Sequence, residues 1–414
     1  MSAGVLGAGL AALGIAGMPG PAAAAPTSDP PTAARFGAAW IAGQLSAHGW
    51  LPSPTDATKP DLNTTAFGAL ALASTGTGGT AATTALDFVK SHLDEYVKVA
   101  GADAPAPLAT LILAATATGR DARTAFGTDL VSRLQATRQA SGLFGAADAQ
   151  YDGAYRQGLA LAALAAVGAK DAAAVAWLSA QQCDDGGWMA LRADTAAPCP
   201  ASDPANFTGE DSNSTAMAVM GLVAQGATPA HDAAAWFDTT QGSDGGWAYV
   251  AAPDQGSDTN STALAVMALK ALGVDARSAR FTTARDPVAL LMSFQLGCEG
   301  GVDAGALAYQ PVRGDLSANA LATVQAVPAL AGTTLPLAAS TSLSPASPAA
   351  VACAAAAPAG AGTGTTAPTA GASAGTPLAN TGASDTLVLL ALAGALLVLT
   401  GAIAVGSTHR SNSA

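Results

Sequence analysis

The sequence predicts an all-α fold: a closed α/α toroid of six helix pairs, then an extended linker and one C-terminal transmembrane helix. Two observations carry the ring. Gln241-Gly-Ser-Asp-Gly-Gly-Trp247 is followed by Asp258-Thr-Asn-Ser-Thr-Ala-Leu-Ala-Val-Met-Ala-Leu269, and the same text stands one unit earlier as Gln182-Cys-Asp-Asp-Gly-Gly-Trp188 and Asp211-Ser-Asn-Ser-Thr-Ala-Met-Ala-Val-Met-Gly-Leu222. Self-similarity over such a length marks stacked repeats. The second observation is composition: 50% of the 414 residues are hydrophobic and only 11% are charged. Alanine supplies most of that excess and is the best helix former. No β-rich stretch interrupts the pattern.

The units follow in order between about Arg35 and Gly332. The first runs through Ala38–Gln44, turns at His48-Gly-Trp50 and restarts at Asp61-Leu-Asn-Thr-Thr. The second contains Ala85–Lys90 and Leu108–Leu113, with Pro105 and Pro107 opening its second helix. The third has Leu130–Leu134, a turn near Gly142-Leu-Phe144, and Gly158–Leu164. The fourth and fifth are the pair quoted above, with Trp177 and Trp236 in their first helices. In both, a Gly-Gly turn is followed by a Trp plug, and Asp or Asn stands at the helix start as an N-cap type. The sixth has Pro287–Phe294, a turn at Cys298-Glu-Gly-Gly-Val302, and a second helix opening at Asp315-Leu-Ser-Ala-Asn-Ala-Leu321. The second helices are apolar nearly all round, so they form the buried inner set. A closed ring removes the open ends that a linear solenoid has to cap.

Charge and cysteine usage narrow the class of function. The net charge of −12, with few Lys and Arg, excludes nucleic acid as a natural partner. Four cysteines fit two disulfides in an oxidising compartment. Cys183 and Cys199 flank one loop of the fourth repeat, which pairs them and leaves Cys298 with Cys353. Histidines 48, 92 and 231 are scattered over three repeats with no metal-ligand spacing, so neither a metal nor a cofactor is expected.

The two ends read as export and anchoring signals. Residues 1–25 have the apolar run and small-residue cleavage sites of a signal peptide. No Lys or Arg precedes Arg35, so the amino terminus supplies the only positive charge or the true start lies upstream. Residues 333–377 are rich in Ala, Thr, Ser, Gly and Pro, the composition of a flexible wall linker. Residues 386–405 are an uncharged run long enough to span a bilayer, followed by His409 and Arg410. Just upstream stand Leu378, Ala379, Asn380, Thr381 and Gly382. That order, over 378–414, resembles a sortase sorting signal of the Leu-Ala-X-Thr-Gly kind found in high-GC Gram-positive bacteria. The resemblance implies cleavage between Thr381 and Gly382 and attachment of Thr381 to peptidoglycan by sortase. The membrane would then be a partner only before sorting.

The Asp-Gly-Gly-Trp loops and Asp-x-Asn-Ser-Thr-Ala helix starts resemble the repeats of squalene and hopene cyclases and of protein prenyltransferase β subunits. The resemblance covers residues 35–332; it is strong in repeats four and five, fair in one and six, and weak in two and three. It implies a six-plus-six α/α toroid in which Gln182, Trp188, Gln241 and Trp247 tie neighbouring repeats together. Protonating cyclases carry Asp-x-Asp-Asp-Thr-Ala, and the middle aspartate donates the proton. Asn213 and Asn260 occupy that position here, and an amide is no general acid. Asp211 and Asp258 remain as the candidate acids, each also placed to cap its helix. Aromatic residues are 5% of the chain, sparse for stabilising carbocations. The prenyltransferase zinc set of Asp, Cys and His has no counterpart. Gly297-Cys298-Glu299-Gly300-Gly301 shares two letters with a complement-type thioester motif and lacks its glutamine.

The expectation is therefore a secreted, wall-anchored surface protein whose toroid is a binding or interaction module without demonstrable catalytic machinery. The alternatives are a terpenoid cyclase or prenyltransferase-like enzyme acting on an isoprenoid, and a corrinoid binder resembling the cobalamin carriers. The candidate ligand is an apolar or isoprenoid-like small molecule. The expected binding rim is Asp61, Asn63, Asp211, Asn213, Asp258, Asn260 and Asp315, with Tyr249 and Tyr309 on nearby loops.

Overall fold

The computed structural model describes residues 29–353 apart from 55, 148–152, 251–255, 340–342 and 350–352. The expected signal peptide, the sorting signal with its 386–405 span, and residues 354–377 of the expected linker lie outside the described residues. No helix among the described residues is long and apolar enough to cross a membrane.

The helices in chain order are α1 (Pro30–His48), α2 (Leu62–Ser74), α3 (Gly79–Ser91), α4 (Leu93–Val97), α5 (Pro105–Ala117), α6 (Leu130–Ala136) and α7 (Ala154–Ala166). They continue with α8 (Ala172–Ala180), α9 (Ser212–Ala224), α10 (Ala233–Thr240), α11 (Thr259–Ala271), α12 (Pro287–Ser293) and α13 (Ala320–Leu330). Between α4 and α5 lies a two-residue antiparallel pair, Lys98–Val99 with Ala102–Asp103. The ring closes. Among the second helices of the units, α2 packs on α5, α5 on α7, α7 on α9, α9 on α11, α11 on α13, and α13 returns to α2. Helices α1, α3, α6, α8, α10 and α12 form the outer set, and α1 touches both α3 and α12. Burial explains the assignment: every residue of α9 from Ser212 to Leu222, and of α11 from Thr259 to Leu269, is buried. Small residues let these inner helices approach closely. A Cβ on Gly158 of α7 would lie 2.1 Å from the Met217 carbonyl oxygen of α9.

One hydrogen bond, repeated, fixes how each turn sits on its inner helix. The fourth helical residue accepts the backbone N–H of the turn's apolar plug. Thr65 accepts from Leu51 (2.9 Å), Gln157 from Phe144 (2.9 Å), Thr215 from Trp188 (2.9 Å), Thr262 from Trp247 (3.0 Å) and Thr323 from Leu307 (2.8 Å). Glutamines stitch one repeat to the next. The Gln182 side-chain amide donates to its own turn at Gly186 (3.0 Å) and onward to His231 (3.0 Å). Gln241 donates to Gly245 (2.8 Å) and Phe281 (2.7 Å). Gln295 does the same across the seam, to Gly305 (3.0 Å) and to Ala33 of the first repeat (2.9 Å). The tryptophans work differently from the expectation. The indoles of Trp188 and Trp247 donate within their own repeats, to Leu178 (3.0 Å) and Phe237 (2.9 Å). The ring of Trp247 also packs on Phe281 of the next repeat, at 6.3 Å between centroids.

Three features differ from the sequence reading. The last inner helix does not open at Asp315: Asn319 caps it, its side chain accepting from Ala322 N–H (2.9 Å). Asp315 is exposed, in a turn paired with Val312. Helix α4 and the small strand pair are an insertion between α3 and α5. Finally, packing continues past residue 332. Leu335 is buried, and the carbonyls of Ala346 and Ser344 accept the N–H groups of Gly78 (2.8 Å) and Gly79 (2.7 Å). Helix α3 has no side-chain cap of its own, and this returning segment takes the N–H groups of its cap residue Gly78 and first residue Gly79. Both disulfides expected from the sequence are formed, Cys183–Cys199 and Cys298–Cys353.

Candidate functional site

The N-terminal ends of the inner helices form one mouth of the ring, on the side of the plug-bearing turns. Asp61, Asp211 and Asp258 each cap an inner helix, accepting from the N–H of Thr64 (2.6 Å), Ser214 (2.7 Å) and Ser261 (2.8 Å). Asp258 also takes the Ser261 hydroxyl (2.9 Å). Asp211 and Asp258 are each only 2% exposed. Burial pushes the Asp211 carboxyl up to about 7 and that of Asp258 up to about 6, with the capping N–H groups pulling the other way. The Tyr309 hydroxyl hydrogen-bonds Asp258, and its own ionisation is pushed far up by burial and that carboxylate.

Helical geometry says where the asparagines point. The fourth residue of α2, α7, α9, α11 and α13 faces the outer turns, as the plug contacts show. The second residue lies about 200° away around the helix and so faces the ring axis. Those second residues are Asn63, Ala106, Tyr155, Asn213, Asn260 and Leu321. On one side the polar groups are satisfied. Tyr96, carried by α4, donates its hydroxyl to Asn63 Oδ1 (2.9 Å). Tyr155 is buried beside Tyr96 and near the Asp211 carboxylate. On the other side they are not. Asn213 Oδ1 and Asn260 Oδ1 are buried with no hydrogen-bond partner among the described residues. The sixth residue faces the same way as the second, and on α13 it is Gln325, whose Oε1 is buried and unpartnered too.

Of the expected rim, the structure thus brings Asp61, Asn63, Asp211, Asn213, Asp258, Asn260 and Tyr309 to the mouth. Tyr249 joins them at the lip of α9: its carbonyl accepts Ser212 N–H (2.8 Å) and its ring lies 6.4 Å from that of Phe207. Asp315 caps no helix and is exposed in its turn with Val312. Neither asparagine side chain caps a helix; the caps are the aspartates. Tyr96, Tyr155 and Gln325 are members that the sequence reading missed. The signal for Tyr155 and Gln325 was available: counting two residues back, or two on, from the fourth-position oxygen picks them out. Tyr96 arrives from an insertion and has no repeat signal.

The chemistry on offer is limited. Cys183, Cys199 and the Glu210 carboxylate lie within 4.8 Å of one another, but the two sulfurs are bonded together and neither is a thiolate ligand. Glu210 accepts the Trp236 indole N–H (2.6 Å), and burial with the neighbouring Asp185 raises its carboxyl to about 7. Cys298 is also in a disulfide, so no thioester forms there.

No protein-family profile matches the chain, and no curated protein matches it. Solved structures do match. One is a type II terpene cyclase from Scytonema in its apo form, 15% identical over 73% of this chain and 96% of that one, with a TM-score of 0.49. Another is the ent-copalyl diphosphate synthase from Streptomyces platensis, 20% identical over 72% of this chain and 50% of that one, TM-score 0.39. A polysaccharide lyase is 13% identical over 73% of this chain and 96% of that one, TM-score 0.45. At these values the likenesses carry no argument about chemistry, and the toroid stands on the closed cycle of inner-helix contacts.

Proposed function

We propose that the toroid is a non-catalytic binding module displayed on the cell wall, and that its mouth holds a small molecule on a largely apolar body. One observation carries this reading: the amide oxygens of Asn213 and Asn260 are equivalent in two successive repeats, buried, and without a donor among the described residues. A buried acceptor left open costs about 1–3 kcal/mol, so a donor from outside is favoured there. Below that level the axis-facing sixth residues include Phe67, Leu159, Met217 and Leu264, all buried. This pairing of an apolar floor with a few polar groups suits a ligand site. Native mass spectrometry of protein purified from its own cells is expected to show a retained small molecule. The double substitution Asn213→Ala and Asn260→Ala is expected to lose that mass while leaving the melting temperature unchanged or higher, since neither side chain caps a helix. Retention that survives the double substitution would remove the basis for this reading.

A second reading, a cyclase-like enzyme acting on an isoprenoid, is favoured by one feature. Asp258 is a buried acid raised to about 6 with a phenol hydrogen-bonded to it, so part of the population holds a proton at neutral pH. Its capping contacts and the amide at position 260 weigh against it. On that reading squalene or prenyl diphosphates give a cyclised or transferred product, and the product disappears in Asp258→Asn. Absence of turnover by the unmodified protein eliminates it.

The wall anchor is part of the proposal. The order of Leu378 to Gly382, the apolar run 386–405 and the basic tail supports covalent attachment through Thr381. Thr381→Ala is expected to convert the protein from wall-bound to detergent-extractable. A mutant still joined to peptidoglycan fragments would show the pentapeptide to be misread.

A further inference from the structure

The binding reading above leaves the ligand's chemistry open, and the arrangement of the open acceptors narrows it. We propose that the mouth takes a neutral sugar ring, gripped through its hydroxyls by Asn213, Asn260 and Gln325 and flanked by Phe207 and Tyr249; the proposal rests on that binding reading.

Three successive inner helices, α9, α11 and α13, each present one amide oxygen without a partner among the described residues, Asn213 Oδ1, Asn260 Oδ1 and Gln325 Oε1. Their residues are only 9%, 5% and 5% exposed. All three lie on the axis-facing side of their helices by the same 200° rule. An acceptor selects a donor, so the occupant brings O–H or N–H groups. Two of the oxygens sit at the second helical residue and the third at the sixth, one helical turn deeper. At 1.5 Å per residue that step is about 6 Å along the helix. Hydroxyls on opposite sides of a pyranose ring are separated by a similar distance. A single simple alcohol would reach one level and leave the other open.

The charge pattern argues for a neutral occupant. An anion would face acceptor oxygens and the carboxylates of Asp211 and Asp258. Arg156, the third residue of α7, donates to the Ala146 carbonyl (2.6 Å), on the outer turn. A cation would meet the positive ends of the inner helices, and the two carboxylates beside them already accept backbone N–H groups.

The lip adds apolar faces of the right kind. Phe207 stands four residues before the cap of α9, and its ring lies 6.4 Å from that of Tyr249. Phe207 is held at φ 53°, a left-handed conformation that a bulky side chain adopts only when its surroundings impose it. The turn beneath it supplies the constraint: Asp203 and Thr208 exchange backbone hydrogen bonds at 2.8 and 3.1 Å. Sugars offer C–H faces to aromatic rings and hydroxyls at their edges, which matches an aromatic lip above amide oxygens.

The test is saturation-transfer NMR on the full exported chain. The sugar probes are N-acetylglucosamine, glucose and galactose, and the apolar probe is the neutral dye N-phenylnaphthylamine. At least one sugar is expected to receive saturation. In Gln325→Leu, which keeps size and removes the acceptor, its affinity is expected to fall about tenfold with dye binding unchanged. Phe207→Ala is expected to weaken the sugar and leave melting unaffected. If the dye binds and no sugar does, or the sugar binds equally well in both variants, the sugar proposal is overturned while the binding reading stands. If neither sugar nor dye binds, both fall.

Discussion

Gly158→Ala is expected to destabilise the ring strongly. The new Cβ would lie 2.1 Å from the Met217 carbonyl oxygen and 2.9 Å from the Ala218 nitrogen. Both are backbone atoms of α9, so no side chain can turn aside. Across the same crossing, a Cβ on Gly221 would lie 2.4 Å from the Gly158 carbonyl oxygen. Relief requires α7 and α9 to separate. In a closed ring that separation also disturbs the contacts of α7 with α5 and of α9 with α11. Overpacking of this kind costs about 1–3 kcal/mol where neighbours yield, and more where they cannot. A fall in melting temperature of roughly 10 °C, or loss of soluble protein, is expected by circular dichroism. Gly43→Ala is the control. A Cβ there meets nothing within 4 Å, on the exposed side of α1, so Ala is expected to stabilise by about 0.5–1 kcal/mol. If the two variants melt within about 2 °C of each other, the α7–α9 crossing is not a backbone contact.

Much of the ring was legible because its fourth and fifth repeats are nearly the same text. The turn signature, the capping aspartates and the apolar helices recur there, and the structure uses them alike. Repeat three is faint for a physical reason. Its plug is Phe144 instead of Trp, and its fourth-position oxygen belongs to Gln157 instead of Thr, yet the bond is the same. The geometry keeps a function that several residue types can serve. The sixth repeat misled because Asp315 and Asn319 are both good cap types, and the chain spends Asp315 on the turn with Val312. The returning segment at 344–346 was illegible. Its partners, Gly78 and Gly79, lie far away in sequence, and low-complexity text carries no periodicity to announce a docked segment. At the site, the aspartates were legible as caps and the asparagines as a repeated position. That both amide oxygens lack donors among the described residues depends on what surrounds them in space, which no spacing encodes.

The unmodified toroid is expected to become less stable as the solution is made more alkaline between about pH 4 and 8, where most domains gain or hold stability. Asp211 is raised to about 7 and Asp258 to about 6 in the folded chain. An unfolded aspartate titrates near 3.9. Folded pKa values above the unfolded ones mean the folded state holds protons more tightly. Their contribution is therefore present in full below about pH 4 and is lost as pH rises through about 6 and then about 7. At about 1.4 kcal/mol per pKa unit, the upper bounds by pH 8 are roughly 4 kcal/mol from Asp211 and roughly 3 kcal/mol from Asp258. A second set limits the acid side. Asp103, held down by hydrogen bonds from Arg133, loses stabilisation as pH falls below the ordinary carboxylate range. Stability is thus expected to peak in mildly acidic solution. Protonation does not cost the caps, because the neutral acid still offers an oxygen to Ser214 or Ser261. Asp211→Asn and Asp258→Asn retain that oxygen and never ionise. The double variant is expected to match the unmodified protein near pH 4.5 and to melt about 5–10 °C higher at pH 8, with a nearly flat profile between. A melting temperature of the unmodified chain that climbs steadily from pH 5 to 8 would mean that water reaches both carboxylates. The mouth would then be an open, solvated rim instead of the desolvated entrance on which a buried ligand depends.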